Sequence, residues 1–428
     1  MLNRSQPPPI HPIRTLELPR VDHVQLSNGV PVAVVPLGTQ DVLRLDVIFL
    51  AGRPWEAHRL AARATLALLR EGTKRRDGAA IAEHFDYFGS SLSTPPHLDT
   101  ANLVLYAPRR YAAEVFPVLA ELLAEPDFPE AELEAFKTRH QRRLEVDLQK
   151  VDVVGYRQLT ELLYGPQHPY GYNSDAVAYQ RLQLDWLRAH YRNWFHSGQA
   201  LMVLSGKVGR AEIELLDRHL GRAIPTGRRH VPAFPEPEPA PGRAHHLPMG
   251  QPTVQTALRI GRRMFGRQHP DFAGMYVLNT VLGGYFGSRL MHNIREQKGY
   301  TYNIYSSLDT FLFDGYFYIG TEVGNAFLPS TLREVRAELY RLRRSPIPEE
   351  ELEMVRSYLM GTFLTMLDGP FQVAELVRSL AVEDLPTDVF ATFVERVQRV
   401  DSRELQRLAN QYLEEEDLIE LTVGGPPV

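Results

Sequence analysis

The sequence predicts an α+β protein built as two tandem homologous domains, each a mainly antiparallel sheet with helices packed on one face. Three observations carry that prediction. A chain of 428 residues exceeds one ordinary core, since domains run to roughly 100–200 residues. The segment PAFPEPEPAP, Pro232 to Pro241, sits just past the midpoint and reads as an extended linker that buries little. The two sides of it also repeat each other. Pro129-Glu130-Ala131-Glu132-Leu133-Glu134 answers Pro348-Glu349-Glu350-Glu351-Leu352-Glu353 at an offset of 219, and Arg181 to Gly206 parallels Arg399 to Gly424 at 218. A duplication explains one nearly constant offset better than chance does. The predicted units are therefore 20–228 and 247–428, joined by a linker over 229–246.

Each element has a local reason. VQLSNGVPVAVVP is a hairpin, because Asn28-Gly29 between alternating strands favours a primed turn. A strand follows over 43–50, then helices over 56–70 and 79–88, a short strand over 90–94 and another over 101–106. The repeated Pro-Glu segments are helix starts, with proline in the first turn and carboxylates at the positive end of the helix dipole. The second repeated pair reads as an amphipathic helix, a polar connection and an apolar strand ending in glycine. Late in the chain, Gly283, Gly284 and Gly287 mark a turn. Ser288 is placed to cap a helix that ends near Lys298-Gly299, and a tyrosine-rich strand follows over 300–306.

Composition removes several function classes. Hydrophobic residues make up 44% and charged residues 23%, which excludes disorder as the main state. A net charge of −5 provides no field for tracking phosphates, so no nucleic-acid partner is expected. The runs Lys74-Arg75-Arg76 and Arg341 to Arg344 read as solvated faces. The absence of cysteine removes disulfides, thiol nucleophiles and thiolate metal sites together. No window holds 18 consecutive apolar residues and residues 1–20 contain no leader-like apolar stretch, so the expected location is cytoplasmic, away from membranes.

Histidines at i and i+4 on one helix face could share a zinc ion, with a neighbouring glutamate polarising its water. Among the fifteen histidines no two stand three, four or five apart. A helical two-histidine site cannot be written from this chain. Ala80-Ile81-Ala82-Glu83-His84 ends in Glu-His but begins with alanine, so it supplies too few ligands.

The segments LSNGVPVAVV, EGTKRRDGAAIAEHFDYFGSSLST and LLYGPQHPYG, with the duplication and the order of elements, resemble the pitrilysin/insulinase family of zinc metallopeptidases. That family includes the mitochondrial processing peptidases, and the resemblance implies their metallohydrolase fold. Active members carry His-x-x-Glu-His on the first helix, shortly before a Gly-Thr pair. Aligned through Gly72-Thr73, those three places are Arg63, Leu66 and Ala67. Both ligands and the general base are gone. Glu145 corresponds to the third ligand and, without the others, reads as a surface carboxylate. No metal and no cofactor are expected in this chain.

The resemblance also implies an arginine and a tyrosine seven residues apart, which orient substrate and stabilise the tetrahedral intermediate. Arg295 and Tyr302 match that spacing. Read without the resemblance, Arg295 pairs with a nearby acid and Tyr302 packs in a sheet. Family members add an extended peptide to the edge of the first sheet, and the matching strand is Ser90-Ser91-Leu92-Ser93-Thr94. An ordinary edge strand kept short by Pro95-Pro96 is the alternative. The implied function is a non-catalytic subunit of a heterodimeric zinc metallopeptidase. It would bind unfolded peptides beside a homologous zinc-bearing partner, where Arg295 and Tyr302 act in trans. The rival reading is an inactive peptide-binding or structural scaffold of the same fold.

Overall fold

The repeat read in the sequence is a repeat of sheets. In the computed structural model, which describes residue 13 and residues 15–425, eleven strands form two sheets. The first contains β1 (Asp22–Gln25), β2 (Pro31–Val35), β3 (Val42–Phe49), β4 (Ser91–Ser93), β5 (Ala101–Pro108) and β6 (Ala200–Gly206). Their order is β1-β2-β6-β3-β5-β4. The second contains β7 (Ala244–Leu247), β8 (Gln255–Met264), β9 (Ile304–Thr310), β10 (Gly315–Gly324) and β11 (Ile419–Val423), ordered β7-β11-β8-β10-β9. Without β1 the two orders are the same. The single parallel pair of each sheet, β2 with β6 and β7 with β11, occupies the same place. Residues 1–12, much of the segment read for a leader, lie outside the described residues, as do 426–428.

Eight helices accompany the first sheet in sequence: α1 (Ala61–Leu68), α2 (Gly78–Tyr87), α3 (Ala112–Ala124), α4 (Glu130–Asp147), α5 (Val151–Tyr164), α6 (Ala176–Arg181), α7 (Leu184–Trp194) and α8 (Arg210–Ala223). Six more follow: α9 (Phe272–Asn279), α10 (Leu328–Arg344), α11 (Glu349–Thr365), α12 (Pro370–Val382), α13 (Val389–Arg399) and α14 (Ser402–Tyr412). The repeated sequence segments are α4 with α11, and α7–β6 with α14–β11. The Asn28-Gly29 turn forms as expected, with Gly29 in the left-handed region at φ 89°, where glycine carries no Cβ penalty.

Three local expectations are corrected. The helix expected over 56–70 is shorter, because a 3-10 turn at Arg53–Trp55 precedes it and Leu60 takes a left-handed φ of 69°. Ser288 does not cap with its side chain: its carbonyl accepts from the His292 N–H, while its buried hydroxyl has no partner among the described residues. The chain then forms a wide π-helical turn over Met291–Gln297. The tyrosine-rich strand starts only at Ile304.

Each sheet buries one face under its own half's helices and the other under a helix from the opposite half. Leu43, Leu45, Val47 and Phe49 of β3 alternate into the first core with α1, α3 and α7. The intervening Ile48 faces Val373, Ala374 and Val377 of α12. In return, α5 lies across β8 and β11, and its Gly155 sits so close that a Cβ there would stand 3.3 Å from that of Ala257. The starts of α5 and α12, Val151 and Pro370, stand 219 residues apart, so the exchange obeys the duplication. Residues 225–243 hold no helix or strand, but the proline-rich stretch is tied down. The amides of Glu238 and Ala240 donate to the carbonyls of Tyr164 and Leu162, satisfying the C-terminal end of α5.

The exchange is fastened by charge inside the first sheet. Arg44 and Asp46, 3% and 0% exposed, form a bidentate pair at 2.7 and 2.8 Å. Arg44 also reaches Glu375 and the Phe371 carbonyl of α12. Removing Asp46 leaves the buried guanidinium with only the half-exposed Glu375 as counter-charge. Asp46→Asn is expected to lower unfolding free energy by about 3 kcal/mol, read from the midpoint of urea denaturation.

Candidate functional site

The segment leading into α1 is organised by Glu56. Its carboxylate accepts from the amides of Leu60 and Ala62, at 3.2 and 2.9 Å, and from the Tyr172 hydroxyl at 2.6 Å. Burial pushes the carboxyl up, while Tyr172, Arg53 and the two amides oppose that rise. Leu60 holds its left-handed backbone at this junction, an outlier for a bulky residue that stores strain. Arg53 completes the frame: it donates to the carbonyls of Pro169 and Tyr172 and lies 4.4 Å over the Tyr172 ring.

One turn into α1, Arg63 projects from the helix, whereas Leu66 is buried. Its guanidinium donates to the Tyr179 hydroxyl and to Nδ1 of His140 on α4, each at 3.3 Å. Burial, then the charge of Arg63, pulls His140 down to about 4. Its ring is therefore neutral at pH 7, with Nδ1 accepting and the proton on Nε2. His140 packs on Phe136 at 4.2 Å and lies parallel to Tyr179. Arg63, Leu66, Ala67, His140, Arg53 and Glu56 line one cavity of about 380 Å³. Its wall continues through Thr94 and His97.

The remaining expected residues lie elsewhere. Glu145 is exposed on α4. Ser91–Ser93 form β4, which pairs only with β5 and is the outer edge of the first sheet. Ser90 is buried beside it, Leu92 packs against the core, and the Leu92 carbonyl accepts from Arg70 at 3.4 Å. Arg295 stacks 4.5 Å over the exposed ring of Phe286, with no carboxylate partner among the described residues. Tyr302 is 91% exposed and precedes the strand instead of packing in it. Neither lines the Arg63 cavity.

Comparison with known proteins places this arrangement. Residues 181–359 match the family model described as the peptidase M16 inactive domain. The chain thus resembles the peptidase M16 family, with the match centred on that family's inactive domain. A Bacillus subtilis protein named uncharacterized zinc protease YmxG is 23% identical over 70% of this chain and 72% of its own length. A Helicobacter pylori relative, named non-peptidase homolog YmxG, is 24% identical over 82% and 81%. The solved peptidase M16 inactive domain from Pseudomonas fluorescens superposes with a TM-score of 0.87, at 24% identity, covering 95% of this chain and 98% of that one.

The zinc of active M16 peptidases does not fit the side chains found here. A guanidinium, an isobutyl group and a methyl group stand at 63, 66 and 67, and none donates a lone pair to a metal. Arg63 already occupies the lone pair of His140 Nδ1. Among the described residues no group of three or more His, Cys, Asp or Glu could hold a metal ion. The sequence reading overlooked His140, Glu56 and Tyr172. His140 carried a weak signal, since it continues the buried stripe Leu133, Phe136, Leu144 along α4. Arg63→Gln is expected to raise the His140 pKa from about 4, yet leave it below the ordinary ~6.5 because burial is the larger cause. Titration of its ring protons by NMR checks this.

Proposed function

We propose that this chain is the non-catalytic subunit of a heterodimeric zinc metallopeptidase of the cytoplasm. It binds and orients unfolded peptides and presents Arg295 and Tyr302 to the zinc site of a homologous partner. The observation that carries the reading is exposure: Tyr302 stands 91% open, free to meet a group on another chain. Arg295 is held in place by Phe286, with no carboxylate to neutralise it among the described residues. A guanidinium supplies a permanent charge and forked donors for a peptide carbonyl. A phenol can donate to the oxyanion that develops when an amide is attacked. A zinc ion held by the partner would supply the polarised water. The free edge of β4 offers backbone groups to an extended chain whatever its sequence, which suits unfolded substrates.

A second reading, an inactive peptide-binding scaffold, is favoured by the name of the Helicobacter pylori relative, non-peptidase homolog. Both readings use β4; only the first needs the Arg/Tyr pair. The chain is to be co-purified with a zinc-bearing homologue from its own host and assayed on an unfolded peptide. Arg295→Ala with Tyr302→Phe is expected to lower kcat/KM by about 10²–10³-fold, with the pair still assembled and one zinc per pair by native mass spectrometry. Unchanged turnover by the double variant overturns the trans role and leaves the scaffold.

A further inference from the structure

The cavity beneath Arg63 is charged in a way that its own residues do not balance. Among the described residues Arg63 donates only to neutral groups, the Tyr179 hydroxyl and His140. Arg53 likewise donates to two carbonyls and a tyrosine face. Against these two guanidiniums the lining offers one carboxylate, Glu56. That group already accepts from Tyr172 and from two amides at the start of α1. Arg139 adds positive potential behind His140, as does Arg143, although Arg143 is itself paired with Asp147. A half-enclosed cavity with an unpaired planar fork favours an anion that can accept two parallel hydrogen bonds, which is the geometry of a carboxylate.

The cavity also adjoins the peptide edge. Thr94, immediately beyond β4, lines its wall together with Pro96 and His97. A chain added to β4 therefore runs into the cavity at one end. We propose that the place of the lost metal site is a carboxylate-binding subsite for the peptide carried on β4, with Arg63 as its charged donor. The inference rests on the reading that this protein binds extended peptides, and it adds what they must carry. The carboxylate has two sources. A peptide parallel to β4 brings its C-terminus to the cavity, whereas an antiparallel one passes through and offers a Glu or Asp side chain.

Three labelled octapeptides of one neutral sequence separate the possibilities: a free acid, its C-terminal amide, and the amide with one Glu at the end expected to reach the cavity. By fluorescence anisotropy, one acid-bearing peptide is expected to bind at least about tenfold tighter than the neutral amide, a difference of 1.4 kcal/mol. Which one does so reports the strand direction. Arg63→Gln, at an exposed position, is expected to erase that preference and leave the amide's affinity unchanged. Equal binding of all three, or an equal loss for all three in Arg63→Gln, overturns the subsite while peptide binding stands. Should none bind, strand addition fails. The subsite is then judged with N-acetylglycine alone: a shift of the Arg63 side-chain NMR signal supports it, and no shift overturns it.

Discussion

Two buried arginines hold the halves of this protein together, and most of the architecture follows from what they reach. Arg44 on β3 extends to the Phe371 carbonyl of α12, and Arg259 on β8 extends to the Asp152 carbonyl of α5. Those carbonyls belong to the second residue of each exchanged helix and stand 219 positions apart, the spacing of the whole duplication. Each arginine is 3% exposed and each has a carboxylate beside it, Asp46 in one half and Glu322 in the other. A charge so buried is tolerated only when its partners are fixed. The sheets, and the helices laid across them from the opposite half, are thereby set in one arrangement.

That arrangement decides which residues meet at the sheet edges. Because the two strand orders coincide, β4 and β9 are the same edge in the two halves. The residues singled out for function gather at those edges: Thr94 follows β4, and Tyr302 precedes β9. A second set of contacts fixes their surroundings. Tyr170, from the LLYGPQHPYG segment, donates to Asp99, which in turn accepts from the amide of Leu312 in the β9–β10 turn. Tyr164 donates to the Gly315 carbonyl at 2.8 Å. A motif that reads as a family signature is, physically, a staple between the first half and the second.

How much of this was legible depends on which forces write into sequence. Turn chemistry does, so the Asn28-Gly29 turn falls where expected; the Asp77 side chain that accepts from the Ala80 amide before α2 is a cap the sequence reading passed over. Repeated helix–strand pairs do as well, since apolar periodicity survives duplication. Helix exchange does not. The periodicity of α5 and α12 announces that one face is buried without saying against which sheet. In β3, VLRLDVIF, Arg44 and Asp46 alternate with apolar residues as in a strand with one solvent face, yet the strand is buried almost throughout. The short α1 was hidden for a different reason, because a left-handed leucine at position 60 is set by Glu56 and Tyr172 and contradicts local propensity. At the site itself, Arg63, Leu66 and Ala67 could be placed by alignment to Gly72-Thr73, but their meeting with His140 is tertiary.

The erased donors and the intact helix are compatible because α1 never depended on a metal. Glu56 satisfies its first amides, Leu66 sits in the core, and the buried Thr65 hydroxyl donates to the Leu187 carbonyl of α7 at 3.3 Å. None of these contacts involves positions 63 or 67. Exchanging a dication and its ligands for a guanidinium removes the Lewis acid while leaving positive potential on the same cavity wall. A metal-polarised water needs lone-pair donors, which positions 63, 66 and 67 do not supply, whereas binding an anion needs only charge and shape. The helices around this wall are therefore held by contacts that do not depend on which side chains stand at 63 and 67.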